Sequence, residues 1–460
     1  ITLAFGFTLM GVAIDYPLHL FSHSRQGSGR AAIRLIWPTL RIGAASTAIA
    51  YLAIALSGSD GLAQLGIFTA SGLVVAALVT RFWLPVFLTP QHGIVSGHDL
   101  FSRQPLLVNF HTVAVLFVSV LAMQFLFEDG VWDDRMSSLS PVPEHRLLTD
   151  RQLRSAAGTQ DMRYQLVHHS PDLEVLLRES EAIQPLLQQA VDAGLMESWQ
   201  SVSQILPSRK LQENRQAAIP GRIELGERLS SAIENTPFHE AAFEPFALNA
   251  ERSKISPPLT PRQFDATPLS AWLDSHLASV RGQWVSLVSI SKPKPTQLAE
   301  YLASELPQVE LVDLQQSSIE LMRNYRNGAM KTISFASLAI IALLLFETKR
   351  TRRVLWIALT VVASLSLTAT IVTALHGGLT IIHLVALILV MGLGLDYALF
   401  MSRKESRAEQ AATIHAVVAC AVTTTLTLGI LAGSSIPVLK FLGLTVATGS
   451  AASFIPVSYT

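Results

Sequence analysis

Residues 392–397 read Gly-Leu-Gly-Leu-Asp-Tyr, inside an apolar run that extends from residue 379 to residue 401. A membrane-spanning helix needs about 20 mostly apolar residues, so this run predicts one. The run contains a single carboxylate, Asp396. A charged side chain at that depth costs at least ~2.5–3.5 kcal/mol on insertion scales, and such residues mark ion pathways or proton relays.

The same pattern occurs near the start of the chain, where residues 11–16 read Gly-Val-Ala-Ile-Asp-Tyr. A second pair of stretches also matches, Leu65–Gly72 (LGIFTASG) with Leu442–Gly449 (LGLTVATG). The interval between its two members is only slightly shorter than the interval between the two Asp-Tyr motifs. Because both matches occur in the same order at nearly the same separation, they predict an internal repeat.

The composition indicates a membrane protein. Of the 460 residues, 50% are hydrophobic and only 15% are charged, against roughly 25% charged in ordinary soluble domains. The 34 basic and 34 acidic residues cancel, which gives no support for a nucleic-acid partner. Cys420 is the single cysteine, and the pair His168-His169 has no partner at metal-ligand spacing. No disulfide, metal site or cofactor is therefore predicted.

Nine apolar segments are long enough to cross a membrane. They are residues 1–22, 36–57, 62–88, 106–127, 329–346, 354–375, 379–401, 411–433 and 436–460. Residues 129–326, between the fourth and the fifth segment, are polar and interrupted by prolines. We therefore predict membrane helices over 1–127, an extramembrane domain over 128–328 and membrane helices over 329–460. Both ends of the chain lie in apolar runs, which suggests a fragment.

Lysine and arginine occur in alternate loops. Basic residues follow the first, fifth and seventh segments, at Arg25, Arg30, Arg34, Arg41, Lys349, Arg350, Arg352, Arg353, Arg403, Lys404 and Arg407. Loops 57–61 and 376–378 carry no Lys or Arg. Basic loops stay in the cytoplasm, which predicts a multi-pass protein of a bacterial inner membrane with residues 129–326 on the periplasmic side. The loops between the matched helices are both basic, so the repeats are predicted to be parallel.

The extramembrane region has the patterns of a mixed domain. Alternating segments predict strands at Met162–His169, Trp284–Ser291 and Gln308–Leu314, with helices at Leu173–Gly194 and Thr296–Leu306. The predicted fold is therefore an all-α polytopic membrane bundle with parallel internal repeats, plus an α+β extramembrane domain.

Asp15 and Asp396 are the only acidic residues in the nine apolar segments. Each is followed by a tyrosine, Tyr16 or Tyr397, whose hydroxyl can bond a carboxyl group in either protonation state. A carboxylate pair that occurs at the same place in both repeats indicates a shared task, and we predict that these four residues form a proton relay. His19, four residues after Asp15, could extend it, but the repeat holds Phe400 there and a packing role is favoured.

Small and hydroxyl residues surround the motifs. A glycine four residues before each aspartate lies on the same helix face and permits close approach of a neighbouring helix. The residues predicted to pack around the relay are Gly11, Gly392, Gly394, Ser46, Thr47, Thr423 and Thr424.

The two Gly-x-x-x-Asp-Tyr motifs, the repeated helices and the large domain between them resemble the resistance-nodulation-division (RND) superfamily, in its mycobacterial-membrane-protein-large (MMPL) branch. The resemblance implies a chain that runs from the fourth to the twelfth helix of the family and carries a porter-like outer domain. It also implies proton-driven export, with Asp15-Tyr16 and Asp396-Tyr397 at the relay positions.

The resemblance further implies a hydrophobic or lipid-like substrate. Residues 201–212 (SVSQILPSRKLQ) resemble the exporter subgroup linked to aryl polyenes and similar acyl products. The drug-efflux branch pairs an intramembrane lysine with two aspartates. Both halves here carry Asp-Tyr and neither motif contains a lysine, which argues against that branch. Protons and membrane lipids are the other expected partners, and a homo-oligomer or a periplasmic carrier partner stays open.

Other classes of function remain open beside the exporter. One is a non-transporting membrane protein that senses lipids or sterols, and another is an accessory of protein translocation. An enzyme is not expected, because the sequence shows no nucleophile–base set, phosphate-binding loop or metal cluster.

Overall fold

A computed structural model describes residues 2–24, 28–88, 113–122, 130–156, 163–403 and 407–457. The chain divides into two compact units. We call Ile1–Pro143 with Ser318–Thr460 the membrane unit, and Glu144–Ser317 the sheet unit. The predicted extramembrane domain, 128–328, extends beyond the sheet unit at both ends.

The described part of the membrane unit is helical. Its helices are α1 (Thr2–Ala13), α2 (Asp15–Ser24), α3 (Gly29–Ala55), α4 (Asp60–Phe82), α5 (Leu84–Phe87), α6 (Val113–Ala122), α15 (Leu314–Thr348), α16 (Thr351–His376), α17 (Ile381–Met401), α18 (Arg407–Ala432) and α19 (Pro437–Val457). Six described stretches are long and apolar enough to cross a membrane: Gly29–Ala55, Asp60–Phe87, Leu314–Thr348, Thr351–His376, Ile381–Met401 and Glu409–Ala432. The prediction of a multi-pass membrane protein is confirmed.

The other three predicted spans differ from these six. The fourth, 106–127, lies mostly outside the described residues, which include only Val113–Ala122 of it. The ninth corresponds to α19, which is helical over Pro437–Val457 but is not among the six. The first, 1–22, is divided into α1 and α2 at Ile14.

Pro17 explains the division at Ile14. Proline has no N–H, so the carbonyl of Ala13 loses the helical donor four residues later, and the ring crowds that carbonyl. The neighbouring bonds persist, since Ile14 N donates to Met10 O at 3.3 Å and Leu18 N donates to Ile14 O at 3.1 Å. The kink therefore places Asp15 in the first turn of α2.

The second motif lies on a helix without a break. α16 ends at His376 and is capped by Gly377, whose φ of +76° is the left-handed conformation that glycine adopts without strain. α17 then begins with a reciprocal cap in which Thr380 N donates to His383 Nδ1 at 2.9 Å. α17 is buried along nearly its whole length and packs against α3, α16, α18 and α19.

Two glycines, one in each of the matched stretches Leu65–Gly72 and Leu442–Gly449, allow close helix packing. A Cβ at Gly443 on α19 would lie 2.6 Å from both Leu428 O and Ala432 N of α18. A Cβ at Gly66 on α4 would likewise overlap Tyr51 O of α3. In each case the obstacle is backbone, which cannot swing aside as a side chain can.

Replacing Gly443 by alanine is therefore expected to destabilise the membrane unit by about 1–3 kcal/mol, the usual cost of overpacking. Gly429→Ala on α18 is the matched control, because no atom lies within 4 Å of a Cβ built there. That change should be neutral or slightly stabilising through helix propensity. Thermal unfolding of the detergent-solubilised variants measures the difference, and equal melting temperatures would contradict the packing at Gly443.

The sheet unit combines one antiparallel sheet with helices. Its strands are β1 (Tyr164–Ser170), β2 (Ser198–Gln200), β3 (Leu277–Val280), β4 (Gln283–Ser291) and β5 (Glu310–Asp313). Its helices are α7 (Glu144–Ala156), α8 (Leu173–Ala182), α9 (Gln184–Asp192), α10 (Arg209–Ala218), α11 (Arg222–Ile233), α12 (Glu244–Ile255), α13 (Ser270–His276) and α14 (Pro295–Glu305). The strand order is β2-β4-β1-β5, with β3 also paired to β4.

The three predicted strands of this region correspond to β1, β4 and β5. In the central pair, Leu166 of β1 faces Val288 of β4, and both are fully buried. The predicted helix Leu173–Gly194 is instead two helices, because Pro185 begins a new helix and α8 ends at Ala182. The small sheet and its helices agree with the predicted mixture of α and β structure.

His168 pairs with a carboxylate that sequence spacing did not predict. Its Nε2 lies 3.0 Å from Glu179 Oε2 on α8. Burial lowers the pKa of His168, and the Glu179 carboxylate opposes that effect. No group of three or more His, Cys, Asp or Glu residues that could hold a metal ion occurs in the described ranges.

Candidate functional site

The Asp-Tyr motifs lie on two buried helix segments of the membrane unit. Asp15 and Tyr16 begin α2, and Asp396 and Tyr397 lie on α17. Asp15 is 3% exposed and Asp396 is 7% exposed, and the two tyrosines are equally buried. The two carboxyl groups interact electrostatically with each other and with both tyrosines. The structure therefore brings the four predicted relay residues into one site.

Asp15 faces α18. The hydroxyl of Thr424 donates to Asp15 Oδ1 at 3.5 Å and to Gly11 O at 3.3 Å. Cys420, one turn earlier on α18, points its Sγ at Asp15 O at 3.7 Å. Asp15 Oδ2 is buried and has no hydrogen-bond partner among the residues described.

Asp396 faces α3 in a similar way. Its Oδ1 lies directly against Gly43, so any side chain at position 43 would overlap the carboxyl oxygen. One turn away, a Cβ at Gly392 would lie 2.7 Å from Thr47 Cγ2 and 2.8 Å from Thr47 Oγ1. The Thr47 hydroxyl is buried without a described hydrogen-bond partner.

These two sets of contacts correspond residue by residue. Gly11 and Gly392 are separated in sequence by the same interval as the two aspartates. Thr47 and Thr424 are separated by the interval of the second repeat match, and so are Gly43 and Cys420, each of which faces an aspartate. Each motif helix thus packs against the threonine-bearing helix of the other half.

The tyrosines differ in their partners. The Tyr397 hydroxyl lies 3.4 Å from Ser450 Oγ on α19. The Tyr16 hydroxyl is buried and has no hydrogen-bond partner in the part of the chain that is described. Two phenols near two carboxyl groups provide donors for whichever carboxylate is ionised.

The residues predicted to pack around the relay fall into two groups. Thr47, Thr424 and Gly392 take part in the contacts above, and Gly11 faces Leu428. Ser46 and Thr423 instead donate to carbonyls of their own helices, Ser46 to Gly43 O at 2.8 Å. Gly394 faces α19, where Ser453 Oγ lies 3.3 Å from its ideal Cβ position.

Pro17, Gly43 and Cys420 contribute to the site although the sequence patterns did not single them out. A signal for two of them exists, because Gly43 and Cys420 each lie four residues before a threonine, with the separation of the second repeat match. The pattern small-x-x-x-Thr places the small residue and the threonine on one helix face.

The arrangement is suited to carrying protons. Two carboxyl groups that sense each other in a buried site repel when both are ionised, and a proton on either one removes that repulsion. The groups lie on α2 and α17, which pack on α18 and α3. A change in proton occupancy can therefore alter how these helices pack.

The apolar helices and the buried carboxyl pair define a multi-pass membrane protein with ionisable groups inside its helix bundle. Residues 316–458, which extend from α15 to the end of α19, match the model of the MMPL family. Over these residues the predicted resemblance to the MMPL family is confirmed.

Two solved structures with similarity to the chain are of SecDF. One is SecDF in its super-membrane-facing form, at 13% identity and a TM-score of 0.49, covering 100% of this chain and 53% of the other. The other is SecDF from Thermus thermophilus, described as a translocon-associated membrane protein, at 13% identity and a TM-score of 0.48, with coverages of 98% and 52%. The chain spans about half the length of these structures. No curated protein matches the chain.

Proposed function

We propose that this protein is a secondary exporter that uses the proton-motive force to move a hydrophobic or lipid-like substrate. Asp15, Tyr16, Asp396 and Tyr397 form its proton relay. The observation that carries the proposal is the pair of buried, mutually interacting carboxyl groups at the contact between the two halves of the membrane unit. Intramembrane carboxyl groups are costly, and a purely structural role needs only hydrogen bonds that uncharged residues provide.

The two halves are proposed to be parallel repeats. The support is the correspondence of contacts: Gly11 and Gly392 face equivalent helices, and Gly66 and Gly443 approach equivalent backbone atoms. In a two-fold arrangement, a proton bound on one side changes a contact shared with the other side. This geometry favours conformational coupling through α2 and α17.

The proposed setting is a bacterial inner membrane, with the α+β region as a periplasmic, porter-like domain. The alternation of basic and bare loops supports this orientation. Aryl polyenes or other acyl products are the substrate class that the sequence resemblance favours. Membrane lipids are the surroundings, and a second copy of the chain or a periplasmic carrier is the partner to be sought. The protein acts without covalent chemistry and is not an enzyme in this proposal.

The test uses the complete protein in vesicles of phosphatidylethanolamine and phosphatidylglycerol. A phospholipid with a nitrobenzoxadiazole-labelled acyl chain reports lipid movement through its quenching by dithionite, and trapped pyranine reports protons. An imposed pH gradient should accelerate probe movement and drive protons the opposite way. Movement that ignores the gradient would overturn the proposal.

Two results would point to other functions. Binding of the probe with no movement under any gradient would favour the lipid-sensing class. Gradient-driven movement of an unfolded polypeptide, with the lipid probe static, would favour a translocation accessory. Both classes are compatible with an MMPL-type membrane unit, so this measurement separates them.

A further inference from the structure

Three titratable side chains lie in line on α2. Asp15, His19 and His23 are spaced four residues apart, which places them on one helix face at about 6 Å per step. His19 is 2% exposed and His23 is 5% exposed, so the whole line is buried. It leads from the carboxyl pair to the end of α2 at Ser24.

His23 is held at both ring nitrogens. Its Nδ1 lies 2.9 Å from His19 O, and its Nε2 lies 3.1 Å from Thr413 Oγ1 on α18. In the neutral ring, Nδ1–H donates to the carbonyl and Nε2 accepts from the threonine hydroxyl. This imidazole is therefore oriented between α2 and α18, with a partner at each ring nitrogen.

His19 is buried in a different way. Its ring stacks on Phe400 of α17, with centroids 3.7 Å apart and an interplanar angle of 11°. Neither of its nitrogens has a hydrogen-bond partner among the described residues. A buried polar group left unbonded loses its hydration without compensation, so packing alone does not account for histidine here. A phenylalanine would fill the same space without that cost.

The second half has no such line. The positions equivalent to His19 and His23 hold Phe400 and Lys404, and the position equivalent to Pro17 holds Ala398. α17 accordingly runs unbroken past its aspartate, whereas α1 and α2 are divided beside Asp15. The relay residues are thus matched between the halves, but the groups beyond them are not.

Charged and titratable groups flank the line in the part of the chain that is described. They are Tyr16 of α2, Asp396 and Tyr397 of α17, Arg403 just beyond α17, and Cys420 of α18. Arg403 also donates to Leu35 O of α3 at 3.0 Å.

We propose that His19 and His23 form the cytoplasmic proton path of the relay, so that both carboxyl groups exchange protons with the cytoplasm through the first half alone. The proposal rests on the proton-driven function proposed above. Asp15 O–H gives its proton to one nitrogen of His19. The other nitrogen of His19 then releases its proton to the His23 imidazole, whose Nε2 takes it up as the Thr413 hydroxyl turns from hydrogen-bond donor to acceptor. No bond other than O–H and N–H forms or breaks.

The test replaces His19 by phenylalanine, the residue of the second half. In the vesicle assay, His19→Phe should lower gradient-driven proton flux and lipid-probe movement at least tenfold. It should also abolish the dependence of the rate on cytoplasmic-side pH, while the melting temperature stays at or above that of the wild type. Phe400→Leu is the matched control, because it removes the stacking without removing a titratable group, and it should keep the wild-type pH profile.

His23→Gln is a second variant. Its amide can still hydrogen-bond to Thr413, but it cannot take up or release a proton at physiological pH. It should reduce proton flux similarly. The path is overturned if both histidine variants keep the wild-type flux and pH profile while wild-type movement still follows the gradient. A wild type that ignores the gradient would instead overturn the proposed function itself, so the two failures are distinguishable.

Discussion

Replacing Asp396 by asparagine is expected to reduce gradient-driven proton flux and lipid-probe movement to the level of protein-free vesicles, a loss of at least ~100-fold. Asparagine has the shape of aspartic acid and can occupy the same space against Gly43, but it cannot take up or release a proton at physiological pH. Asp15→Asn should have the same effect, because it also removes a group that can take up and release a proton. The fold should be retained, since the asparagine carbonyl can still accept from the Thr424 hydroxyl.

Asp60→Asn is the control for these variants. Asp60 begins α4 and is exposed, so its loss removes one carboxylate from the membrane unit without touching the buried pair. Transport by Asp60→Asn should equal that of the wild type. The relay assignment fails if either buried variant retains gradient-driven transport with its melting temperature unchanged. Flux measured by pyranine decides this independently of the substrate.

Much of the membrane unit could be predicted because lipid imposes a simple rule. Backbone groups in the bilayer must be satisfied within the segment, so long apolar runs become helices, as for α17. Asp396 and Asp15 were recognisable because placing a carboxylate inside an apolar membrane segment costs free energy. The predicted strands of the sheet unit had the period-two pattern that a half-buried strand requires, as at Trp284–Ser291.

The ends of helices and the breaks within them were harder to predict from the sequence. α15 runs from Leu314 to Thr348, whereas hydropathy predicted 329–346, because hydropathy reports contact with lipid and not the hydrogen bonding that continues into polar sequence. The break at Ile14 depends on Pro17, a local effect that an average over a whole apolar segment conceals. α3 begins at Gly29, well before the predicted start at residue 36, because Ser28 accepts from Ala31 N as a cap.

The contacts between the two halves could not be read from either half alone. Periodicity shows which face of a helix is small or polar, but not which helix packs on it. Gly43 illustrates this, because its lack of a side chain leaves space for Asp396, which belongs to the other half of the chain. His19 and Phe400 hold matching positions after the two Asp-Tyr motifs, and the sequence shows that they differ. Only the structure shows that they stack on each other.

Replacing Arg326 by alanine is expected to destabilise the membrane unit by about 3–5 kcal/mol, because it leaves a mostly buried carboxylate without its principal partner. Arg326 Nη1 lies 2.6 Å and 2.8 Å from the two oxygens of Asp134, and each side chain is 11% exposed. The guanidinium also lies over the Trp132 ring, 5.0 Å from its centroid. Thermal unfolding of the solubilised protein measures the loss.

Two neighbouring variants separate the causes. Arg323 lies 3.7 Å from the same carboxylate but is 53% exposed, so Arg323→Ala should cost less than about 1 kcal/mol, as exposed pairs do. If Arg326→Ala and Arg323→Ala melt at the same temperature, burial of the Arg326–Asp134 pair does not matter for stability and the prediction fails. The double variant Arg326→Met with Asp134→Leu should recover much of the loss, since apolar residues of similar volume often replace a buried ion pair without cost.

The large effect follows from what the ion pair secures. Residues 131–133 are bonded to Leu379, two residues before α17: Leu379 N donates to Val131 O at 2.7 Å, and Asp133 N donates to Leu379 O at 2.8 Å. Trp132 packs there on a buried cluster that includes Val372 of α16. Because Arg326 belongs to α15, its pair with Asp134 joins three helices through one segment. Losing the arginine therefore leaves the mostly buried Asp134 carboxylate without its principal partner and also weakens this junction.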